Sequence, residues 1–347
     1  MEPAEFFVEY IQMWLPTRVV RLLVRLWMRL LGPWMRSGDV VVQQIKTDQE
    51  LRTRLPVTTA VEETNEQLYG NDPTFFVTHL GKKLKYSACE YPSGVNTLDE
   101  AEIFTVAKYQ DLAKLAALPT GSRVLELGCG WGSLSLSNAE RFPGLSFICF
   151  SNSPQQIGYN RQQAKERGLK NVTFEVEDYA VFVDPNKSKV APEGTPLFDA
   201  AMAIETVEHA QNITELLRAV ALRLKPGAQF FVQSLLHQSS SYVLDSKSWM
   251  GRNFFTGGSI LALNSYFLLT PPELSVKKVI PVNGKGYSKT LTDWLQKQEN
   301  HEKALVKRYS RSFYEGFRMF YISCAEAFAA NGGNEYMVGY YIFERRR

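Results

Sequence analysis

Residues 124–132, Val124-Leu125-Glu126-Leu127-Gly128-Cys129-Gly130-Trp131-Gly132, run from an apolar stretch of strand length into three glycines at alternate positions. Glycine tolerates a tight turn, lets a ligand approach the backbone and lets a following helix pack closely on the strand, while amides at that helix start can bind a carboxylate or phosphate. The stretch predicts a strand, a loop at a nucleotide-type cofactor site, and a helix. Its GxGxG spacing, with Glu126 two positions before the first glycine, differs from the GxGxxG of dinucleotide folds. Working outward, apolar runs of strand length recur at Leu145 to Phe150, Val172 to Val176, Phe198 to Ile204 and Gln229 to Leu235, mostly separated by helix-like segments. That alternation predicts an α/β fold, a parallel sheet with helices on both faces.

Helix starts are signed locally. Thr97 with Glu100 forms a capping box ahead of an apolar-periodic segment that reaches Leu118 and stops at Pro119-Thr120-Gly121. Ser153-Pro154-Gln155-Gln156 offers an N-cap with proline at the first helical position. Asp184 to Pro196 reads as a surface insertion, and residues 40–95, with turn signals at Gly70-Asn71-Asp72-Pro73 and Pro92-Ser93-Gly94, as an irregular approach. Beyond Leu236 helical patterns return at Thr290 to Ala304 and Tyr309 to Ala330, and Glu335 to Phe343 suits a closing strand.

Composition narrows the function. The 347 residues are 45% hydrophobic and 22% charged, ordinary globular usage. Lys plus Arg at 39 against Asp plus Glu at 36 leaves +3, so no whole-molecule field points to nucleic acid. Cys89, Cys129, Cys149 and Cys324 lack metal or disulfide spacing and read as reduced thiols. No apolar run reaches the ~18 residues of a membrane span, and a first segment holding Glu2, Glu5 and Glu9 is unlike a secretory signal, so the cytoplasm is the expected address. One stretch departs from the balance: Pro16 to Arg36 holds Arg18, Arg21, Arg25, Arg29 and Arg36 and no acid. The first four arginines share one helix face while Val19, Leu22, Leu23, Leu26, Trp27 and Leu30 fill the rest. Such a helix either lies on an anionic membrane surface or packs its apolar side on the protein and solvates its arginines, and the packing alternative is the expectation.

At the end of the fourth run stands Ala203-Ile204-Glu205-Thr206-Val207-Glu208-His209, at the carboxyl edge where open parallel sheets bind ligands. One helical turn here would bring Glu205, Glu208 and His209 to one side as an acid/base group. His79, His209, His237 and His301 form no HExxH or Cys/His ligand spacing, so no metal is expected.

The glycine loop resembles the first motif of S-adenosylmethionine-dependent methyltransferases. By that resemblance Gly128, Gly130 and Gly132 admit the methionine moiety of S-adenosyl-L-methionine and Glu126 lies near its ammonium group. Ser151, Asn152 and Gln156 then offer hydroxyl and amide groups to the ribose, and Asp178 and Tyr179, after Glu177, offer an acid and a ring to the base. More closely, about residues 65 to 345 resemble the coclaurine N-methyltransferase-like branch of the cyclopropane fatty acid synthase and mycolic acid cyclopropane synthase family. The landmarks are Lys85-Tyr86-Ser87, Leu125 to Ser133, Ser151-Asn152-Ser153, Ile204 to His209, Phe254-Phe255-Thr256-Gly257-Gly258 and Tyr287-Ser288-Lys289-Thr290.

This resemblance implies a Rossmann-like methyltransferase domain over 61–347, with a cap at 61–120 and a substrate-covering region at 236–330, preceded by a basic helical segment at 1–60. It implies that Tyr86 and Ser87 touch the cofactor and that Glu205, Glu208 and His209 bind and deprotonate an amine. Thr206-Val207 stand where the branch usually has Met-Phe. His237, Phe254, Phe255 and Tyr287 are the expected substrate-pocket residues; of the aromatics Trp249, Phe254, Phe255, Tyr266, Phe267, Trp294, Phe317 and Tyr321, no more than half are expected to line the pocket. The expected activity is methyl transfer to a small, aromatic or alkaloid-like amine. The competitor is methylene transfer to an unsaturated lipid, in which Glu208, His237 and Tyr287 match positions associated with a bicarbonate base. There the family cysteine is replaced by Ala88, with Cys89 adjacent. A non-catalytic, cofactor-binding membrane-associated protein would predict a damaged loop or cluster, and both are intact. A homodimer and a peripheral membrane contact through residues 16–36 stay open.

Overall fold

A computed structural model describes residues 15–35, 39–55, 57–58, 73–244, 247–255 and 257–347. Gly70 to Asp72, Thr256 and the acidic first segment lie outside the described residues. In chain order the helices are α1 (Thr17–Met35), α2 (Val40–Thr53), α3 (Pro73–His79), α4 (Leu98–Leu112), α5 (Ser133–Arg141), α6 (Pro154–Glu166), α7 (Tyr179–Phe182), α8 (Ile213–Arg223), α9 (Trp249–Asn253), α10 (Ser265–Leu269), α11 (Lys285–Asn300), α12 (Glu302–Arg308) and α13 (Arg311–Ala329). The strands are β1 (Arg123–Leu127), β2 (Ser146–Ser151), β3 (Val172–Val176), β4 (Phe198–Ile204), β5 (Leu224–His237), β6 (Tyr242–Val243), β7 (Ser259–Ala262), β8 (Leu274–Asn283) and β9 (Tyr336–Arg345).

Among the described residues one sheet runs β3-β2-β1-β4-β5, all parallel, and continues antiparallel through β9 to β8. The end of β5 also pairs β7, which carries β6. Period-two alternation builds the two faces. Val124, Met202, Phe231 and Leu235 enter one core, Leu125, Leu127, Ala203 and Val232 the other. The chain leaves β1 toward β2 and returns through β4 on its other side, which opens a crevice at the carboxyl ends of β1 and β4.

Both capping signals form as expected: Thr97 and Glu100 complete a reciprocal box on α4, and Ser153 caps α6 ahead of Pro154. The helix expected to reach Leu118 ends at Leu112, because Lys114 turns left-handed at φ +53°. Residues 40–95 are less irregular than expected, since they include α2 and α3. The apolar pattern misleads for α2: Val41, Val42 and Ile45 are exposed, and Gln44, Thr47 and Asp48 turn inward with Leu51. Gln44 Nε2 donates to Asn264 Oδ1 at 2.7 Å, so hydrogen bonds do there what apolar contact usually does. The stretch Asp184 to Pro196 also dips into the protein, with Ser188, Val190 and Ala191 buried. Ser188 Oγ and the amides of Lys189 and Val190 donate to the Glu177 carboxylate at 2.6, 2.6 and 3.1 Å.

The largest departure concerns α1. It packs on α13 through Val20 and Val24, and half-buried Arg21 and exposed Arg25 reach across to the buried Glu326, donating to it at 3.0 and 2.9 Å. The helix packs on the protein as expected and Arg18, Arg25 and Arg29 are exposed, but Leu22, Leu23, Leu26, Trp27 and Leu30, the side expected to pack, stay exposed as well.

The segment leading to Tyr86 hangs on one carboxylate. Buried Glu102 of α4 accepts from the amides of Gly81 at 3.1 Å, Lys83 at 2.7 Å and Lys85 at 3.1 Å, across a turn in which Leu84 is left-handed at φ +52°. Removing it in Glu102→Ala orphans buried donors, so chemical denaturation is expected to show a loss of about 3 kcal/mol; an unchanged midpoint would contradict this role.

Candidate active site

The glycine loop leaves β1 with Gly128, Gly130 and Gly132 at φ +62°, +50° and +78°. A Cβ at Gly130 would meet no atom within 4 Å, so the backbone there faces open cleft. A Cβ at Gly128 would lie 2.1 Å from Thr206 Oγ1. Gly132, expected to face a ligand, does not line the cleft: its Cβ would lie 2.6 Å from Asn160 Oδ1. Its role is close packing against α6, where Asn160 Nδ2 donates to Gly130 O at 2.7 Å and braces the loop.

The cleft measures about 1130 Å³ with the open solvent at its mouth included. Tyr86, Ser87, Glu126, Gly128, Gly130, Ser151, Asn152, Gln156, Asp178 and Tyr179 line it, together with Thr58, Lys85, Trp131 and Thr206. Glu126 is buried in the wall beside Cys149, and burial pushes its carboxyl up to about 8. Ser151 Oγ donates to Gln156 Oε1 at 2.8 Å, which sets both polar groups at the end of β2. Asp178 caps α7 through Ala180 N and accepts from Thr58 Oγ1. Tyr179 hydrogen-bonds Thr206. A buried acid, a polar pair and a ring arranged along one cleft suit a cationic head joined to a polyhydroxylated, flat group.

A second, smaller cavity, about 520 Å³ with open solvent included, shares residues with it. Tyr86, Glu205 and His209 border both, while Glu208, Phe255, Ser259, Tyr287 and Phe320 border the second alone. The expected helical turn exists as a single 3-10 turn over Val207–His209, and Glu205 reaches the cluster from the strand end in a left-handed conformation, φ +47°. Ala88 N donates to Glu205 Oε1 at 2.8 Å, and Gln233 Nε2 donates to the same oxygen. Glu208 Oε1 accepts from Leu235 N at 2.6 Å, whereas its buried Oε2 has no hydrogen-bond partner within the protein. Burial raises both carboxyls to about 7 and lowers His209 to about 4, so the imidazole is neutral near pH 7. His209 stacks flat on Phe255, ring centroids 5.6 Å apart.

Two pocket expectations are corrected. His237 lines neither cavity; its Nε2 sits 3.1 Å from Glu335 Oε1 and its Nδ1 accepts from the amides of Ser239 and Ser240. Phe254 also lines neither cavity, stacking on Phe320 at 4.4 Å beside Trp249. Trp249, Tyr266, Phe267, Trp294, Phe317 and Tyr321 likewise line neither cavity, and Phe267 faces outward. Conversely, Lys85, quoted above only as part of a landmark, and Tyr109 and Gln233 were assigned no role from the sequence. Lys85 Nζ donates to Ser87 Oγ at 2.6 Å and to Ala88 O, and Tyr109 donates to Gln233. Nothing local marks these roles: Lys85 follows Lys82 and Lys83 as the third lysine in four residues.

Residues 58–336 match the family model for mycolic acid cyclopropane synthetase. The chain is 25% identical over 322 residues to (S)-coclaurine N-methyltransferase of Thalictrum flavum subsp. glaucum, covering 89% of this chain and 85% of that protein. It is 25% identical over 347 residues to the (S)-coclaurine N-methyltransferase of Papaver somniferum, covering 96% and 95%. The crystal structure of coclaurine N-methyltransferase bound to N-methylheliamine and SAH aligns with a TM-score of 0.87 at 23% identity, over 99% of this chain and 100% of that one, a shared fold.

The loop geometry makes Gly128 intolerant of a side chain. Gly128→Ala would set a methyl against Thr206 at a positive φ, and thermal unfolding is expected to show a loss of about 3 kcal/mol; a variant melting with the parent would refute the close approach.

Proposed function

The chain belongs to the mycolic acid cyclopropane synthetase family, and from that premise we propose that it is an S-adenosyl-L-methionine-dependent N-methyltransferase acting on the amine of a small, aromatic or alkaloid-like molecule. The observation that carries the reading is the wall of Tyr86, Glu205 and His209 common to two cavities, with Glu208, whose buried Oε2 has no hydrogen-bond partner within the protein, bordering the second. The residues fit the cofactor: Gly130 leaves open space at the loop, and Glu126 offers a buried carboxylate to an ammonium. Tyr86, Ser87, Ser151, Asn152, Gln156, Asp178 and Tyr179 would hold its remaining polar groups and base. When bound, the cofactor supplies an electrophilic methyl group on a sulfonium.

The chain's own groups prepare the amine. An alkylammonium must lose a proton before its lone pair can attack. In the second cavity Glu208 Oε2 is the open acceptor for that proton, and Glu205, neighbouring it on the common wall, holds positive charge as the new N–C bond forms. Neutral His209, backed by Phe255, accepts a hydrogen bond from the amine and orients it. Tyr287, Phe255 and Phe320 give the cavity an aromatic lining suited to a cationic or aromatic substrate. In the proposed division, the 61–120 cap contributes Tyr86 and Ser87, and the 236–330 region contributes Phe255, Tyr287 and Phe320.

The family's name favours methylene transfer to an unsaturated lipid as a second reading. His237, one of the positions tied to a bicarbonate base, lies outside both cavities, as do Ala88 and Cys89, which supports the amine over the alkene.

Incubation with labelled cofactor and a panel of amines and unsaturated phospholipids is expected to label amines, and labelling of alkenes alone would overturn the proposal. Because burial raises the Glu208 carboxyl to about 7, its basic form grows as pH rises, and this proton acceptor alone is expected to make kcat/KM climb about ten-fold from pH 6 to 8. Glu208→Gln is expected to lower the rate about a hundred-fold or more; a rate equal to the parent's would remove Glu208 from the chemistry. Glu126, raised to about 8, must shed its proton to face an ammonium, so calorimetry is expected to show S-adenosylhomocysteine binding tighter at pH 8 than at pH 6. Glu126→Gln should weaken binding and erase that slope.

A further inference from the structure

Helix α1 is held to the protein by its charges and turns its apolar side outward. Arg21 Nε and Arg25 Nε reach the two oxygens of Glu326, Arg21 also donates to Thr292 Oγ1 at 2.8 Å, and Arg318 of α13 donates to Thr17 Oγ1 and to Leu15 O. Val20 and Val24 complete the buried stripe. On the opposite side Leu22, Leu26 and Leu30, four residues apart, are 62%, 53% and 69% exposed, and Trp27 and Leu23 widen the strip at 49% and 38%. Exposed Arg18 and Arg29 border it, and no acid occurs between Pro16 and Arg36. A contiguous apolar strip of this kind marks an interaction surface rather than a solvated face.

We infer that the outer face of α1 docks on an anionic lipid surface, with Leu22, Leu26, Leu30 and Trp27 in the acyl boundary and Arg18 and Arg29 at the headgroups. Charge complementarity selects this occupant: cations at the edge of an apolar, tryptophan-bearing strip match the anionic layer above a bilayer's hydrocarbon. The helix lies on the surface rather than crossing it, since no helix among the described residues is long and apolar enough to span a membrane. The ion pairs to Glu326 fix the orientation in advance, so docking requires no repacking of the helix. They also tie the docking helix to α13, whose Phe320 borders the second cavity. The inference is independent of which acceptor that cavity takes.

The test is co-sedimentation of the full chain with phosphatidylcholine vesicles, with and without about 30% phosphatidylserine, at low and high salt, alongside light scattering without lipid. The expected result is capture by the anionic vesicles, weakened by salt. Arg18→Gln combined with Arg29→Gln should weaken capture about thirty-fold, from the attraction of each arginine to an anionic surface. Leu22→Glu combined with Leu26→Glu should abolish it while leaving the circular-dichroism spectrum and cofactor binding at parental values. No capture of the parent, or equal capture of parent and leucine variant, would overturn the inference. So would a dimer in light scattering that the leucine variant splits while vesicles capture neither, which would assign the face to a second copy of the chain.

Discussion

The Glu205 carboxylate is clamped from two directions. Ala88 N reaches it from the segment that crosses the cleft, and Gln233 reaches it from β5. Its backbone sits at φ +47°, a conformation that costs a residue with a side chain about 1 kcal/mol or more and that survives where the surroundings over-determine it. The surroundings are themselves held: Tyr109 of α4 donates to Gln233, and Lys85 Nζ donates to the Ala88 carbonyl. Glu102 anchors the start of the same segment through three amides. The wall between the two cavities is therefore the meeting point of α4, β5 and the crossing segment, and both cavities take their shape from it.

What could be read along the chain was whatever depends on neighbours in sequence. The glycine loop, the strand alternation and both helix caps are local, and each lies where its residues predict. Gly132 shows the limit: its spacing is the same as that of Gly128 and Gly130, but only the position of Asn160, a helix away, decides that it faces packing and not the cleft. His237 and Phe254 fail similarly. Each has the chemistry of a pocket residue, but Glu335 claims one and Phe320 the other, and neither partner is visible in local sequence. Gln233 is the converse case, an amide within an apolar strand whose importance arises from what Glu205 and Tyr109 bring to it.

The first helices invert the usual rule that apolar faces turn inward. In α2 the buried side is Gln44, Thr47 and Asp48, and in α1 two arginines point at a buried glutamate. Breaking such a pair by removing one partner leaves a charge stranded, so the geometry is specified more sharply than by leucine contacts, which tolerate rotation about the helix axis. Hydrophobic periodicity cannot detect this arrangement, because it reads the face with the most carbon as the face that packs.

β9 adds a constraint in time. It lies between β5 and β8, with Tyr340 reaching Glu90 near the crossing segment, yet it follows every other strand in the chain. During synthesis on a ribosome the long edge of β5 waits, unpaired and apolar, until a segment about a hundred residues later emerges to cover it. Pairings so distant in sequence form slowly, and an uncovered strand edge is a template for association with other chains. Folding thus carries a demand for early cover of the β5 edge, set by strand order and not by the chemistry of the cavities.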